Sequence, residues 1–128
     1  MLFNLHTHTH FSDGSSPPEE YIEEAIRQGF HTLGFSDHSP VPFENNFALK
    51  EERLDEYIKT IKSYPNILLG LEIDYIPGIT KPIEDYRKMN CFDYFIGSVH
   101  LVKNGSSPDL WFIDGPDITI YDEGLERV

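Results

Sequence analysis

The sequence predicts an α/β fold in which short parallel strands alternate with amphipathic helices. Apolar segments of strand length recur along the chain, and several are followed by segments with helical periodicity. Residues 66–73 form a continuous apolar run, which is typical of a parallel strand covered on both faces. No apolar run approaches the roughly 20 residues needed to cross a bilayer, so we expect no membrane association.

The first strand and helix have clear signals. We place strand one at residues 2–8. A helix should begin within residues 15–20, where hydroxyl side chains, prolines and acidic residues favour a helix N-terminus. Gly29 can end that helix in a left-handed conformation. Strand two should cover residues 32–36.

The middle of the chain repeats this alternation. A proline-rich loop over residues 39–48 precedes a helix at about 50–64. Four apolar residues lie on one face of that helix: Leu54, Tyr57, Ile58 and Ile61. Strand three at 66–73, a short helix at 81–89 and strand four at 92–99 should follow.

The last part of the chain has weaker patterns. We expect a loop at 104–108, a fifth short strand at 111–114 and the opening of another helix from Tyr121. Four or five βα units do not close a barrel, which takes about 250 residues in its eight-unit form. An open end strand would leave backbone groups unpaired. We therefore expect a fragment, a shortened chain, or a chain that a partner copy completes as a homo-oligomer.

Composition narrows the class of protein. The formal net charge of −12 argues against a nucleic-acid partner, although the acidic excess could serve solubility or lie near bound cations. The single cysteine, Cys91, excludes a disulfide framework within the chain, and it is more typical of buried filling than of a nucleophile. The first residues lack the basic region of a signal peptide. A cytosolic location is expected.

Metal-ligating residue types lie at the end of, or directly after, each of the first four predicted strands. They are His6, His8, Asp37, His38, Glu72, Asp74 and His100. Enzymes built from βα units gather their active sites at the carboxyl ends of the strands. This recurrence predicts one metal-binding active site. Phosphate-binding Gly-x-x-x-x-Gly-Lys loops and Gly-x-Ser-x-Gly nucleophile elbows are absent from the sequence.

The histidines near the N-terminus carry the most direct signal. His6 and His8 lie two residues apart on a predicted strand, so both side chains should leave from one face and bind one cation. Two unrelated histidines at a polar strand end are the alternative. His10 could be a ligand, support one, or lie exposed. Asp13, before Gly14, could ligate or only shape a turn.

Later strand ends complete the candidate ligand set. Glu72 lies in an apolar strand, where a charge is costly unless it is paired with a cation, and a carboxylate can bridge two metals. His38 and His100 are expected ligands. Asp37 could orient a neighbouring imidazole, and Asp74 could ligate because alternation places it on the same face as Glu72.

Three further positions lie outside this set. His31 precedes strand two, at the opposite end from the site, and should be structural or exposed. Trp111 and Phe112 are expected to pack, and Asp114 could form a turn or contact a cationic substrate group.

Taken together, these motifs resemble the polymerase-and-histidinol-phosphatase (PHP) family. The resemblance rests on His6-Thr7-His8, Phe11-Ser12-Asp13-Gly14, Phe35-Ser36-Asp37-His38, Glu72 and Gly97-Ser98-Val99-His100. Within that family, the Gly70-Leu71-Glu72-Ile73-Asp74-Tyr75 string and the loop at 39–43 are most similar to monofunctional histidinol-phosphate phosphatases.

The resemblance implies a distorted (β/α)7 barrel that binds up to three divalent ions (Zn, Mn or Fe). Residues 1–128 would be the N-terminal portion of a single PHP domain. His6 and His8 would hold one ion with Glu72, and Glu72 would share a second with His100. Asp13 and His38 would help to hold a third. Glu72 and His100 would also be catalytic, and the family's remaining ligands would follow beyond this sequence.

The implied activity is hydrolysis of a small phosphate monoester, L-histidinol phosphate, in histidine biosynthesis. Two alternatives stay open at this point. One is a PHP phosphoesterase acting on a nucleotide or a DNA end, and the other is an inactive metal-binding fragment that self-associates.

Overall fold

The main feature of the fold is a curled sheet of four parallel strands flanked by helices. The computed structural model describes residues 1–103, 109–115 and 117–127. The strands are β1 (Phe3–Asn4), β2 (Thr32–Phe35), β3 (Ile67–Asp74), β4 (Tyr94–Ser98), β5 (Leu101–Lys103) and β6 (Leu110–Phe112). The helices are α1 (Pro18–Gln28), α2 (Leu54–Lys62, after a 3-10 turn at Glu51–Arg53), α3 (Ile83–Arg87) and α4 (Ile118–Arg127).

The four-stranded sheet has the order β1-β2-β3-β4, with parallel neighbours throughout. Its register pairs Phe3 with Thr32 and Leu33 with Ile67, and Gly70 pairs with Tyr94. The sheet is the half-barrel that the alternation of strands and helices predicts. All four carboxyl ends therefore lie along one edge.

Two strands depart from the all-parallel expectation. The predicted fifth strand begins at Leu110 and pairs antiparallel with β5, a strand for which the sequence has no recognisable pattern. A three-residue strand carries too little periodicity to be recognised from sequence alone. The predicted loop at 104–108 lies outside the described residues.

Strand one is much shorter than predicted. After Asn4, hydrogen bonds that involve side chains replace part of the backbone pairing. Asn4 Oδ1 accepts the His6 N–H at 2.9 Å, and the Tyr94 hydroxyl donates to the Leu5 carbonyl at 2.6 Å. The Thr7 carbonyl still accepts a backbone N–H from the chain after β2. The segment that carries the first histidines thus stays beside β2 without forming a regular strand.

The ends of α1 show one correct and one wrong prediction. Gly29 has a φ of 76° and ends the helix, as predicted. At the other end, Pro17 is the N-cap residue and no side chain caps the helix, so the expected hydroxyl cap is wrong. Proline fits the first helical turn because its φ is already close to the helical value, and Glu19 and Glu20 favour that end of the dipole.

The core lies between the sheet and the helices. Helix α2 buries Leu54, Tyr57 and Ile61, which confirms the predicted apolar face, and these residues join Phe35 and Leu71 in one cluster. The Tyr57 hydroxyl donates to the Gly70 carbonyl at 2.8 Å, so the one polar atom of this buried ring is satisfied.

Tyr94 fills the opposite side of the sheet. A Cβ atom at Gly34 or Gly70 would lie 2.6 or 2.5 Å from its side chain, so the ring needs glycine at both positions. Together with the hydroxyl bond to Leu5, this links β4 to the chain after β1.

The C-terminal segment packs on the hairpin. Trp111 is buried and contacts the Tyr121 ring at a centroid distance of 5.8 Å, in line with the prediction that it packs. Phe112 is 43% exposed and contacts the Phe47 ring. Among the described residues, no helix is both long and apolar enough to span a membrane.

Candidate metal centre

Four histidines and three carboxylates meet at the carboxyl edge of the sheet. His6 and His8 follow β1, His38 follows β2 and His100 follows β4. The carboxylates are Asp13, Glu72 and Asp74. All six predicted metal-ligating residues are in this cluster, from segments far apart in sequence.

Glu72 lies at the centre of the cluster, and its side chain is only 4% exposed. Its Oε2 atom lies 3.0 Å from His6 Nε2 and 2.8 Å from His8 Nε2. The same oxygen lies 3.6 Å from His38 Nδ1, and Oε1 lies 3.8 Å from His100 Nε2. One carboxylate thus stands within reach of four imidazoles.

Backbone pairing fixes the position of Glu72. Its N–H donates to the Asp37 carbonyl at 3.0 Å, and its carbonyl accepts the Ser39 N–H at 2.8 Å. These bonds form an isolated parallel bridge between His38 and Glu72. The ladder between β2 and β3 therefore resumes at the residues that supply the site.

The two-residue spacing of His6 and His8 has the predicted consequence, although the strand ends before them. Both imidazoles face the same oxygen of Glu72, and their ring centroids are 5.1 Å apart. The side chain of His6 is 55% exposed and that of His8 is 19% exposed. His6 therefore borders solvent while His8 lies deeper.

Asp13 joins two of the histidines. Its Oδ1 lies 2.8 Å from His8 Nδ1, and its Oδ2 lies 3.3 Å from His38 Nε2. The turn that carries it is tight, because a Cβ atom on Gly14 would lie 2.2 Å from the His8 carbonyl oxygen. Glycine is required at this close approach of two backbone segments.

Asp37 holds the same turn in place through hydrogen bonds. Its fully buried carboxylate accepts the backbone N–H groups of Thr9 at 2.8 Å and Ser12 at 3.2 Å. It also accepts both hydroxyls, Thr9 Oγ1 at 3.0 Å and Ser12 Oγ at 2.7 Å. The expectation that Asp37 orients an imidazole is wrong, because this turn takes its hydrogen-bonding capacity.

The cluster contains three groups of atoms spaced closely enough to hold an ion. Among the described residues these are His6–His8–Glu72, His8–Asp13–His38 and His38–Glu72–His100, with the atoms of each group within 4.8 Å of one another. Each group includes the residues that the family resemblance assigns to one ion, and two of the groups contain one further histidine. His8 and His38 therefore belong to two groups each.

Unsatisfied buried atoms support the fit of a divalent cation. His8 Nε2, His38 Nδ1 and Asp74 Oδ2 are buried without a hydrogen-bond partner. His8 Nε2 and Glu72 Oε2 are only 2.8 Å apart, but not in hydrogen-bonding geometry. Imidazole nitrogens and carboxylate oxygens converging in this way suit zinc and related ions.

The charges of the cluster respond to one another. Burial alone would lower the pKa of His8, but the carboxylates of Glu72 and Asp13 outweigh it and raise that pKa to about 9. Burial would raise the pKa of Glu72, but the imidazoles of His8 and His6 beside its carboxylate outweigh it and lower that pKa to about 2. In the metal-free chain the carboxylates therefore favour the protonated form of His8. A metal ion that binds this imidazole must displace the proton.

The other candidates lie outside the three groups. His10 is exposed and its ring lies 4.8 Å from that of Phe11. His31 is exposed before β2, and Asp114 is exposed in the turn after β6. Cys91 is partly buried. It precedes β4, at the end of that strand opposite the site.

Sequence reasoning missed two features of the site. Thr9 is fully buried, and no sequence pattern predicts a role for it, although it lies between the histidines of the His6–His10 run. The sequence predicts Asp74 only as a possible ligand, whereas it contacts the Nδ1 atoms of two histidines and belongs to none of the three groups. Its alternation with Glu72 along β3 was the available signal.

Comparisons with known proteins show the family to which the chain belongs. A family model described as the PHP domain matches residues 4–127. A probable histidinol-phosphatase from Deinococcus radiodurans is 33% identical, covering 95% of this chain and 49% of the relative. A histidinol-phosphatase from Bacillus subtilis is 34% identical, covering 80% of this chain and 45% of the relative. The chain thus spans about half the length of these relatives.

A solved structure is similar to this chain in fold. It is the histidinol phosphate phosphatase from Lactococcus lactis, in complex with zinc, L-histidinol and phosphate. The TM-score is 0.54 at 26% sequence identity, covering 77% of this chain and 40% of that one. The zinc in that complex and the cluster described above together support binding of divalent metal by this chain. The chain belongs to the PHP domain family, as its match over residues 4–127 shows.

Proposed function

We propose that this chain is the N-terminal portion of a PHP domain that hydrolyses L-histidinol phosphate with the help of divalent metal ions. The observation that carries the proposal is the charge of the site. Asp13, Glu72 and Asp74 lie together, while the arginine and lysine ion pairs of the described residues lie elsewhere. A phosphate monoester is a dianion at neutral pH, and these carboxylates alone would repel it.

The three groups of nitrogen and oxygen atoms are the proposed ion sites, for up to three ions of zinc, manganese or iron. When bound, such ions neutralise the phosphate and lower the pKa of a water molecule. Glu72 remains an anion at neutral pH because its pKa is about 2, so its oxygens are available as ligands. The residues of this chain hold and orient the reacting groups rather than form a covalent bond with phosphorus.

In the proposed reaction, a water oxygen bonds to phosphorus while the bond from phosphorus to the histidinol oxygen breaks. The leaving oxygen takes up a proton, giving L-histidinol and phosphate. We propose that Glu72 and His100 are the catalytic residues, next to the reacting phosphate. The side chain of His100 is 27% exposed, and its Nε2 faces Glu72, so it borders both solvent and the carboxylate.

The names of the relatives support the choice of substrate. Both the Deinococcus and the Bacillus relatives are called histidinol-phosphatases, and the Lactococcus structure holds L-histidinol and phosphate. These are properties of those proteins, and they are longer than this chain. We further propose a cytosolic location and association of chain copies through the exposed edges, where Phe3 and Val99 are 67% and 53% exposed.

Phosphate release from L-histidinol phosphate tests the proposal. The chain is stripped of metal, supplied with zinc or manganese, and compared with the variants E72Q and H31A. We expect metal-dependent release that E72Q abolishes and H31A retains. Release from a nucleoside monophosphate but not from histidinol phosphate would contradict the substrate, and bound zinc without release would favour an inactive metal-binding fragment.

A further inference from the structure

We infer that Asp74 is a positioning residue that fixes the ring orientation and tautomer of His100 and orients His38. Asp74 is the last residue of β3, and it pairs with Ser98 at the end of β4. Its side chain is fully buried. It lies two residues beyond Glu72 on the same strand.

The two oxygens of Asp74 face different histidines. His100 Nδ1 lies 2.5 Å from Oδ1, which also accepts a hydrogen bond from Ser98 Oγ at 3.2 Å. Oδ2 lies 3.4 Å from His38 Nδ1 and has no hydrogen-bond partner. One buried carboxylate thus joins a histidine that follows β4 to a histidine that follows β2.

The contact with His100 determines which nitrogen is free. A carboxylate accepts, so the neutral imidazole must carry its hydrogen on Nδ1. The lone pair then lies on Nε2, which faces Glu72 Oε1 at 3.8 Å. The opposite tautomer would place a lone pair against the carboxylate and a hydrogen toward the ion position.

The contact with His38 is looser, because its Nδ1 and Asp74 Oδ2 lie 3.4 Å apart outside hydrogen-bonding geometry, so it bears on the orientation of the ring and not on its tautomer. With Nδ1 beside Asp74, Nε2 of His38 faces Asp13 Oδ2 at 3.3 Å. His38 belongs to two of the three groups, whereas Asp74 belongs to none. A carboxylate behind metal-ligating histidines commonly sets their orientation and contributes about 10- to 100-fold to metal affinity.

This inference rests on the metal site of the proposed function but not on its substrate. The first test is therefore made on the metal-free wild-type chain, by ¹⁵N NMR of labelled histidine at a pH where the rings are neutral. We expect His100 in the Nδ1–H form. The Nε2–H form, or an equal mixture, would overturn the inference whether or not the chain is a phosphatase.

The second test is zinc affinity, measured by competition with a chromophoric chelator. D74A should bind zinc about 10- to 100-fold more weakly. D74N keeps an acceptor oxygen and should recover part of that loss. S98A removes the other hydrogen bond to Oδ1 and is the matched control, with affinity close to wild type.

Circular dichroism separates these effects from loss of folding. If D74A does not fold, the comparison of D74N with S98A decides, because only D74N alters the group that faces the histidines. A folded D74A or D74N chain with wild-type zinc affinity would overturn the inference. So would a loss in S98A as large as that in D74N.

Discussion

Asp37 and Asp74 are both fully buried carboxylates at the site edge of neighbouring strands, yet their surroundings differ. Asp37 accepts hydrogen bonds from two backbone N–H groups and two hydroxyls. Asp74 accepts from one hydroxyl and one imidazole, and its second oxygen has no hydrogen-bond partner. Burying a carboxylate is costly unless its charge is compensated, so the two aspartates meet that cost in different ways.

The two aspartates therefore have different roles in the site. The partners of Asp37 belong to the turn that carries Asp13, so its carboxylate supports the shape of the site. The partners of Asp74 include two of the histidines themselves, so its carboxylate acts on candidate ligands. Substitution of Asp37 should mainly lower stability, and substitution of Asp74 should mainly lower metal affinity.

The largest expected effect on stability is that of D37A. It leaves the N–H and the hydroxyl of Thr9 without their acceptor in a buried turn, although the Ser12 N–H keeps the Thr9 carbonyl, and this should cost about 3–5 kcal/mol. Urea denaturation of the metal-free chain measures this. A free energy of unfolding within about 1 kcal/mol of wild type would remove the distinction drawn between the two aspartates.

The next effect is that of G14A, which tests the shape of the turn without touching a carboxylate. The new Cβ would collide with the His8 carbonyl oxygen, and relieving that overlap should cost about 2–3 kcal/mol. Zinc affinity should also fall, because Asp13 moves with the turn. G97A is the matched control, since a Cβ there meets no described atom within 4 Å. Equal unfolding midpoints for the two variants would contradict the prediction.

The smallest effect is the pH dependence of stability in the metal-free chain. The pKa of His8 is raised from 6.5 to about 9, so its stabilising contribution is full below pH 6.5 and is lost as the pH rises to about 9. The pKa of Glu72 is lowered from 4.5 to about 2, so the same contact is also lost as the pH falls through that range.

We expect the free energy of unfolding to fall by about 1–2 kcal/mol between pH 6.5 and 9, less than the full shift implies because the His8 side chain is 19% exposed and water screens its charge. Saturating zinc should reverse this trend, since the metal binds deprotonated His8. Thermal or urea unfolding across this range measures both curves. A metal-free chain that becomes more stable toward pH 9 would contradict the pairing of His8 with Glu72.

The site was more predictable than the details around it. Glu72, His38 and His100 could be found because strand ends are visible in the apolar pattern and parallel strands bring those ends together. The roles of Asp37 and Asp74 could not, because they depend on how the turn at residues 9–14 folds and which nitrogen of His100 faces inward. Sequence shows neither.

Contacts between residues far apart in sequence explain where the predicted strands are wrong. Strand one was predicted too long because Tyr94, far along the chain, replaces backbone pairing at Leu5. Strand β5 has too few residues for a recognisable period, and it is defined by its pairing with β6. Long-range side-chain contacts and pairing partners are not local properties of the sequence.

The central claim is that the cluster around Glu72 binds divalent metal through His6 and His8. Its most direct test is zinc per chain after dialysis, measured by elemental analysis for wild type, H6A/H8A and H31A. We predict bound zinc in wild type and H31A, and a clear loss in the folded H6A/H8A chain. Unchanged zinc in H6A/H8A, or a loss of the same size in H31A, would contradict the account.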